Sequence, residues 1–297
     1  MGFMSNSTAM TIFNVEGAEK FELDALHQHV FSPDIDAEGV RRGWVGLGDP
    51  LDFSFPFGEA AFSLRLDTRK PSSAAIKIQL AEALQKEADP DGKVSSKRKK
   101  ELKEAITAKV TARSEFIPSL IDCLFDAEGG RLLVSAPTVK AAQQALDLFK
   151  VSSGIEPEPI MPQINLSAFF DSLCRKGEFL FEGPNNSYHI SSFGSASLGR
   201  SEQTEEKSLV AVQNNPSAIV SALDEGLTIQ KLRLVATLAD NPEYQLDFVL
   251  DTSLGVSGLR LPKAEKGADK DADFLLKTGM CWTAADLVES LGQADFS

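Results

Sequence analysis

Ser96-Lys97-Arg98-Lys99-Lys100-Glu101-Leu102-Lys103-Glu104-Ala105-Ile106-Thr107-Ala108-Lys109-Val110-Thr111-Ala112-Arg113 is the stretch on which the fold turns. Leu102, Ile106 and Val110 step by four, so they line one narrow stripe of a helix. The residues between them are small, polar or charged. Upstream, Pro71-Ser72-Ser73 opens a second helix in which Ile76, Leu80 and Leu84 also step by four. Asp89-Pro90-Asp91-Gly92 lies between the two and reads as a turn, because Pro presets φ and Gly accepts a positive one. A helix with one thin apolar stripe is not a core helix. Two such helices fit an antiparallel hairpin that packs on itself and projects from the body.

Outward from the hairpin the chain alternates strands and helices. Phe62, Leu64 and Leu66 alternate with polar residues ahead of it, as in a half-buried strand. Ser119–Phe125 and Arg131–Ser135 follow it as strands around the Asp126–Gly130 turn. Thr138 caps a helix with Val139, Ala142, Leu146 and Phe149 inward, and Gly154 lies past its end. Before the hairpin, Met10–Val15 reads as a strand, Glu22–Val30 as a weak helix and Gly43–Gly48 as a turn-rich segment anchored by Trp44. Beyond the Pro-rich Glu156–Pro162 linker, Leu166, Phe169, Phe170 and Leu173 mark a helix. Phe179–Glu182 and Tyr188–Phe193 flank a hairpin turn. Ile219 and Leu223 mark a helix ended by Gly226. Leu232–Leu238, Tyr244–Leu250 and Leu259–Leu261 form a meander, then Gly267–Asp273 is a charged loop. Thr283 with Asp286 reads as the cap of a last helix.

Hairpins mixed with helices predict an α+β fold with antiparallel sheets, packed helices and the projecting charged hairpin. The expected domains are a disordered tail over 1–9, a central α+β domain over 10–72 plus 117–155, a helical finger over 73–116 and a second α+β domain over 156–297.

At 297 residues and 42% hydrophobic, the chain has enough apolar material to fold without disulfides or metals. Its three cysteines, Cys123, Cys174 and Cys281, are odd in number and widely spaced, which fits a reducing cytoplasm better than a disulfide framework. The opening ten residues lack a signal-peptide pattern. No apolar run is long enough to span a membrane. His27 and His29 diverge on a helix, and His189 has no local ligand partner. Asp269, Asp271 and Asp273 resemble the start of a calcium loop, but Phe274 and Met280 stand where Gly and Glu are required. Gly46-Leu47-Gly48 lacks the rest of a phosphate loop. No metal, cofactor or catalytic set is expected.

Charge placement is more informative. The net charge is −13, which excludes a uniformly basic nucleic-acid binder. From Lys93 to Arg113, however, eight cations (Lys93, Lys97, Arg98, Lys99, Lys100, Lys103, Lys109, Arg113) face two acids, a net +6 that leaves −19 on the rest. A basic arm on an acidic body suits contact with phosphates. With no aromatic residue inside the run, that contact is with backbone rather than stacked bases. A solvated surface helix is the plainer reading of the same run.

Four segments resemble the bacterial recombination-associated protein RdgC family. They are Gly43-Trp44-Val45; Pro71-Ser72-Ser73 with Ala75-Ile76-Lys77; Arg131-Leu132-Leu133-Val134 with Val139-Lys140-Ala141-Ala142; and Asp271-Ala272-Asp273-Phe274-Leu275-Leu276-Lys277-Thr278-Gly279. The resemblance implies a non-enzymatic α+β protein that forms a ring-shaped homodimer. The ring binds double-stranded DNA without sequence preference, associates with the nucleoid and limits access of the recombinase RecA. It implies that Phe116, one position displaced, is the dimer gate at the finger. Of a basic-basic-Gln DNA-contacting stretch, the chain keeps only Gln213, within Val210-Ala211-Val212-Gln213, which marks a divergent member. A metal-dependent exonuclease and a module that docks an acidic protein partner are the alternatives.

Overall fold

A computed structural model describes residues 2–35, 39–47, 49–55, 60–87, 94–199, 210–263 and 269–294. The elements in chain order are β1 (Ser7–Asn14), α1 (Asp24–His27), β2 (Arg41–Gly46), β3 (Ala60–Arg69), α2 (Ser73–Glu87), α3 (Ser96–Arg113), β4 (Phe116–Asp126), β5 (Arg131–Val134), α4 (Val139–Ser153) and β6 (Glu158–Pro159). They continue with α5 (Leu166–Lys176), β7 (Glu178–Glu182), β8 (Ser187–Gly199), β9 (Val210–Val212), α6 (Pro216–Asp224), β10 (Thr228–Leu238), β11 (Gln245–Asp251), β12 (Val256–Arg260) and α7 (Lys270–Gln293). The fold class is α+β with antiparallel strands, as the sequence predicts. The chain divides into a larger unit, Met1–His29, Val45–Ser63 and Ile121–Ser297, and a smaller one, Val30–Trp44 and Leu64–Leu120.

In the larger unit the strand order is β4-β5-β1-β12-β11-β10-β8-β7, with β6 added to β1 and β9 to β8. The meander follows the period-two pattern. Leu232 pairs with Leu250, Leu234 with Phe248 and Ala236 with Leu246, and all six side chains are buried. They share one core with Leu166, Phe169, Phe170 and Leu173 of α5, Ile219 of α6 and the inner residues of α7. Met10 and Ile12 of β1 join that core. The opposite face of the β4 end is covered by α4, whose fully buried Phe149 ring lies 5.4 Å from Phe125 and 6.2 Å from Phe62. Val139, expected inward on α4, is exposed instead. Thr138 caps this helix by accepting from the Ala141 N–H, and Gly154 ends it at φ 72.

Several expectations are corrected. The segment expected as a disordered tail enters the core: Phe3 is fully buried, and its N–H donates to the Asp122 carboxylate at 2.8 Å. β1 already begins at Ser7, where it pairs with Arg260 of β12. The expected boundary at 156 does not separate two cores, because Pro159 of β6 pairs with Phe13 of β1 and the larger unit runs through it. Trp44 is fully buried in β2, a strand rather than a turn. The weak helix is one turn, α1. β3 is buried on both faces along most of its length, not half-buried. Helix α7 starts after Asp269, whose side chain accepts from the Asp271 N–H. Thr283 is therefore mid-helix, where its hydroxyl donates to the Gly279 carbonyl.

The smaller unit holds the outer parts of β2, β3 and β4, in that order, and the α2–α3 pair. The pair packs along the two apolar stripes. No residue of α2 is buried, and Val110 is the one buried residue of α3. Ser95 caps α3 by accepting from the Arg98 N–H. The Asp89–Gly92 turn lies outside the described residues.

Candidate nucleic-acid interface

Of the eight expected arm cations, Lys93 lies outside the described residues. The other seven are all exposed on α3, but the structure does not leave them equivalent. Arg98 is engaged within the hairpin. Its guanidinium binds Glu87 of α2 through two bonds, 2.7 and 2.8 Å, and Glu101 at 3.1 Å. The bond to Glu87 is the largest influence holding Arg98 charged, and it lowers the Glu87 pKa in return. Lys100 lies 4.0 Å from Glu104. Among the described residues, Lys97, Lys99, Lys103, Lys109 and Arg113 have no carboxylate within ion-pair distance.

These five do not form one basic face. At about 100° per residue, Lys103, Lys99, Arg113 and Lys109 fall within one arc of about 120° that also holds the apolar stripe, and Lys97 falls on the far side. A rigid polyanion that meets the other four therefore does not reach Lys97. Gln213 is exposed directly after β9, beside Asn214 at φ 53 and the α6 cap Asn215. It belongs to the larger unit, whereas the arm belongs to the smaller. Arg200 and Lys207 lie outside the described residues.

Phe116 is not at the hairpin turn. It opens β4 at the foot of α3 and is half-buried. Two arginines from other strands converge on its ring. The Arg41 guanidinium carbon of β2 is 3.9 Å from the ring centroid, and that of Arg69 on β3 is 4.5 Å. Arg69 also donates to the Ala112 carbonyl at 2.6 Å, at the last turn of α3. The sequence reading missed both arginines. The doublets Arg41-Arg42 and Arg69-Lys70 are the signal that could have drawn attention to them. Counted over the sequence, the smaller unit carries 15 basic and 11 acidic residues, a net +4, and the rest of the chain carries −17.

One cavity of the larger unit is acidic. Its volume is about 910 Å³, and it is lined by Asp49, Asp52, Asp271 and Asp273 with Lys270 and Phe274, which repels phosphate. Among the described residues, no cluster of three or more His, Cys, Asp or Glu is placed to hold a metal ion. Burial raises the thiol pKa of Cys123 and Cys174 and pushes that of Cys281 up to about 12, so none is an activated nucleophile. No helix among the described residues is long and apolar enough to cross a membrane.

Residues 9–172, more than half of the chain, match the family model described as "Putative exonuclease, RdgC". The chain belongs to the RdgC family. The match runs from β1 into α5, so it contains the whole α2–α3 hairpin, Phe116, Arg41 and Arg69. Gln213 and α7 lie outside it. No curated protein matches this RdgC-family chain.

Proposed function

We propose that this RdgC-family protein binds double-stranded DNA without sequence preference and acts in homologous recombination. The observation that carries the reading is the division of charge. A smaller unit at +4, with five cations on α3 that have no carboxylate in ion-pair reach among the described residues, attracts phosphate, while a remainder at −17 repels it, so binding is channelled to one surface. Contacts from Lys97, Lys99, Lys103, Lys109 and Arg113 are to backbone and carry no base information. Arg98 is engaged by Glu87 across the hairpin, and Lys100 faces Glu104 on α3 itself. The family resemblance adds a ring-shaped homodimer on the nucleoid that limits RecA, with Gln213 and Phe116 at the DNA contact and the dimer gate.

A labelled duplex of arbitrary sequence, titrated from low to moderate salt, tests the reading. The expected result is a linear log–log dependence with about −0.9 in slope per phosphate neutralised. Salt-indifferent binding, or none at low salt, refutes it. Light scattering on the same sample tests the dimer. The family's description favours a second reading, an exonuclease. Degradation of end-labelled duplex in magnesium or manganese that survives repurification would establish it.

A further inference from the structure

We infer that Arg41 and Arg69, carried on the Phe116 ring, form a phosphate-binding site at the foot of the hairpin; the inference rests on the DNA-binding reading for its natural ligand but not for its chemistry. The two guanidiniums both lie against one neutral ring, so they are no further apart than the sum of 3.9 and 4.5 Å. Neither has a carboxylate within ion-pair distance among the described residues. The Nε atoms of both are buried without a hydrogen-bond partner. Several other arginines are held by carboxylates. Arg65 is bound by Asp67 even though it also stacks on Phe31 at 4.1 Å. Arg131 gathers Asp126, Asp286 and Glu289, and Arg233 shares Asp247 with Arg260.

Two like charges held together, partly desolvated and without an acid, repel each other in a protein that has 43 acids to spare. An anion that reaches both removes that repulsion. Phosphate fits best, because a guanidinium presents a planar fork of donors that matches two phosphate oxygens. The ring fixes the plane of each fork by cation–π contact without cancelling its charge. The Arg69 bond to Ala112 anchors one fork to the last turn of α3. Phe116 is thus a positioning residue for two phosphate contacts.

The test compares wild type with R41Q/R69Q, R41K/R69K and F116L, all checked for folding by thermal melt, in duplex titrations across salt. R41Q/R69Q lowers the log–log slope by about 1.8, two phosphates at about 0.9 each. F116L keeps both charges and the slope but loses affinity severalfold. R41K/R69K restores the slope more than the affinity. A parallel arm measures the melting temperature in orthophosphate against chloride at equal ionic strength. If R41Q/R69Q leaves duplex binding intact but abolishes stabilisation by orthophosphate, the site stands and takes free phosphate instead of the polymer. If wild type binds no duplex yet orthophosphate stabilises it through these arginines, the DNA reading fails and the site stands. If R41Q/R69Q changes neither measurement, the inference is overturned.

Discussion

Asp122 gives the sharpest test of how the larger unit is held together. The residue is 7% exposed. Its carboxylate accepts from the Phe3 N–H at 2.8 Å and from the Ser63 hydroxyl at 2.7 Å, so it ties the chain start and β3 to β4. Removing it in Asp122→Ala leaves two buried donors unpaired, at about 1–3 kcal/mol each; less what is recovered by deleting a desolvated acid, the loss is about 2–4 kcal/mol. Asp122→Asn behaves differently. Its amide oxygen accepts from Phe3, its amide nitrogen donates to Ser63, and the Ser63 hydroxyl turns to suit, so the change is within about 1 kcal/mol at neutral pH. Burial is the largest influence on the Asp122 pKa and raises it above 3.8, while the bonds from Ser63 and Phe3 act in the opposite direction. The unfolded chain therefore ionises at lower pH than the folded one. The stabilising contribution of the proton is fully present below 3.8 and is lost as pH rises through the raised value. Urea unfolding of both variants and wild type, from neutral pH to about pH 3.5, should show wild type gaining on Asp122→Asn as the solution is acidified. Equal losses in the two variants, or a wild-type advantage that grows with pH, would refute the account.

The other predictions concern the arm, the thiols and the core. Arg98→Gln should raise amide exchange in α2 and α3 while lowering the DNA salt slope by less than one, because its bonds are to Glu87 and Glu101. Lys99→Gln and Lys103→Gln together should lower the slope by up to about 1.8 and leave amide exchange unchanged; the reverse pattern would show that the lysines are structural. Cys123 and Cys281 should resist iodoacetamide in the native protein at mildly alkaline pH and react only on unfolding, with burial raising both thiols. Fast native alkylation of either would contradict that burial. Phe149→Ala empties a fully buried site among Phe21, Phe62 and Phe125 and should cost about 3–5 kcal/mol in chemical denaturation.

The meander was legible in the sequence because one face of it is buried, and burial writes a period of two into Leu232, Leu234 and Ala236. The α2–α3 hairpin was legible for the opposite reason, since helices that bury almost nothing need only a thin stripe. The chain start was misread because Ser5, Asn6, Ser7 and Thr8 look like a polar tail. In the folded protein Thr8 is buried in β1, and Thr11 donates its hydroxyl to the Ala136 carbonyl at 2.8 Å. Composition does not distinguish a polar residue in water from one satisfied by a distant carbonyl. The Thr-x-x-Asp spacing at Thr283 predicts a cap because it is local, whereas the start of α7 is set by Asp269. The convergence of Arg41 and Arg69 on Phe116 had no local signature, as it joins three strands from separate parts of the chain.

The position of β1 between β5 and β12 also bears on synthesis at the ribosome. One side of β1 finds its partner once Val134 has emerged. The other side, which includes Ser7, has to wait for Val256 to Arg260. Until β12 emerges, a hydrophobic strand with an open hydrogen-bonding edge is therefore held out of its final sheet, which is the situation in which nascent chains stick to one another. The α2–α3 hairpin, built from near-neighbour contacts, has no such wait. Emergence of β12, rather than the making of the arm, is then the step that closes the sheet of the larger unit, and a chaperone that shields β1 until that point would raise the yield of folded protein.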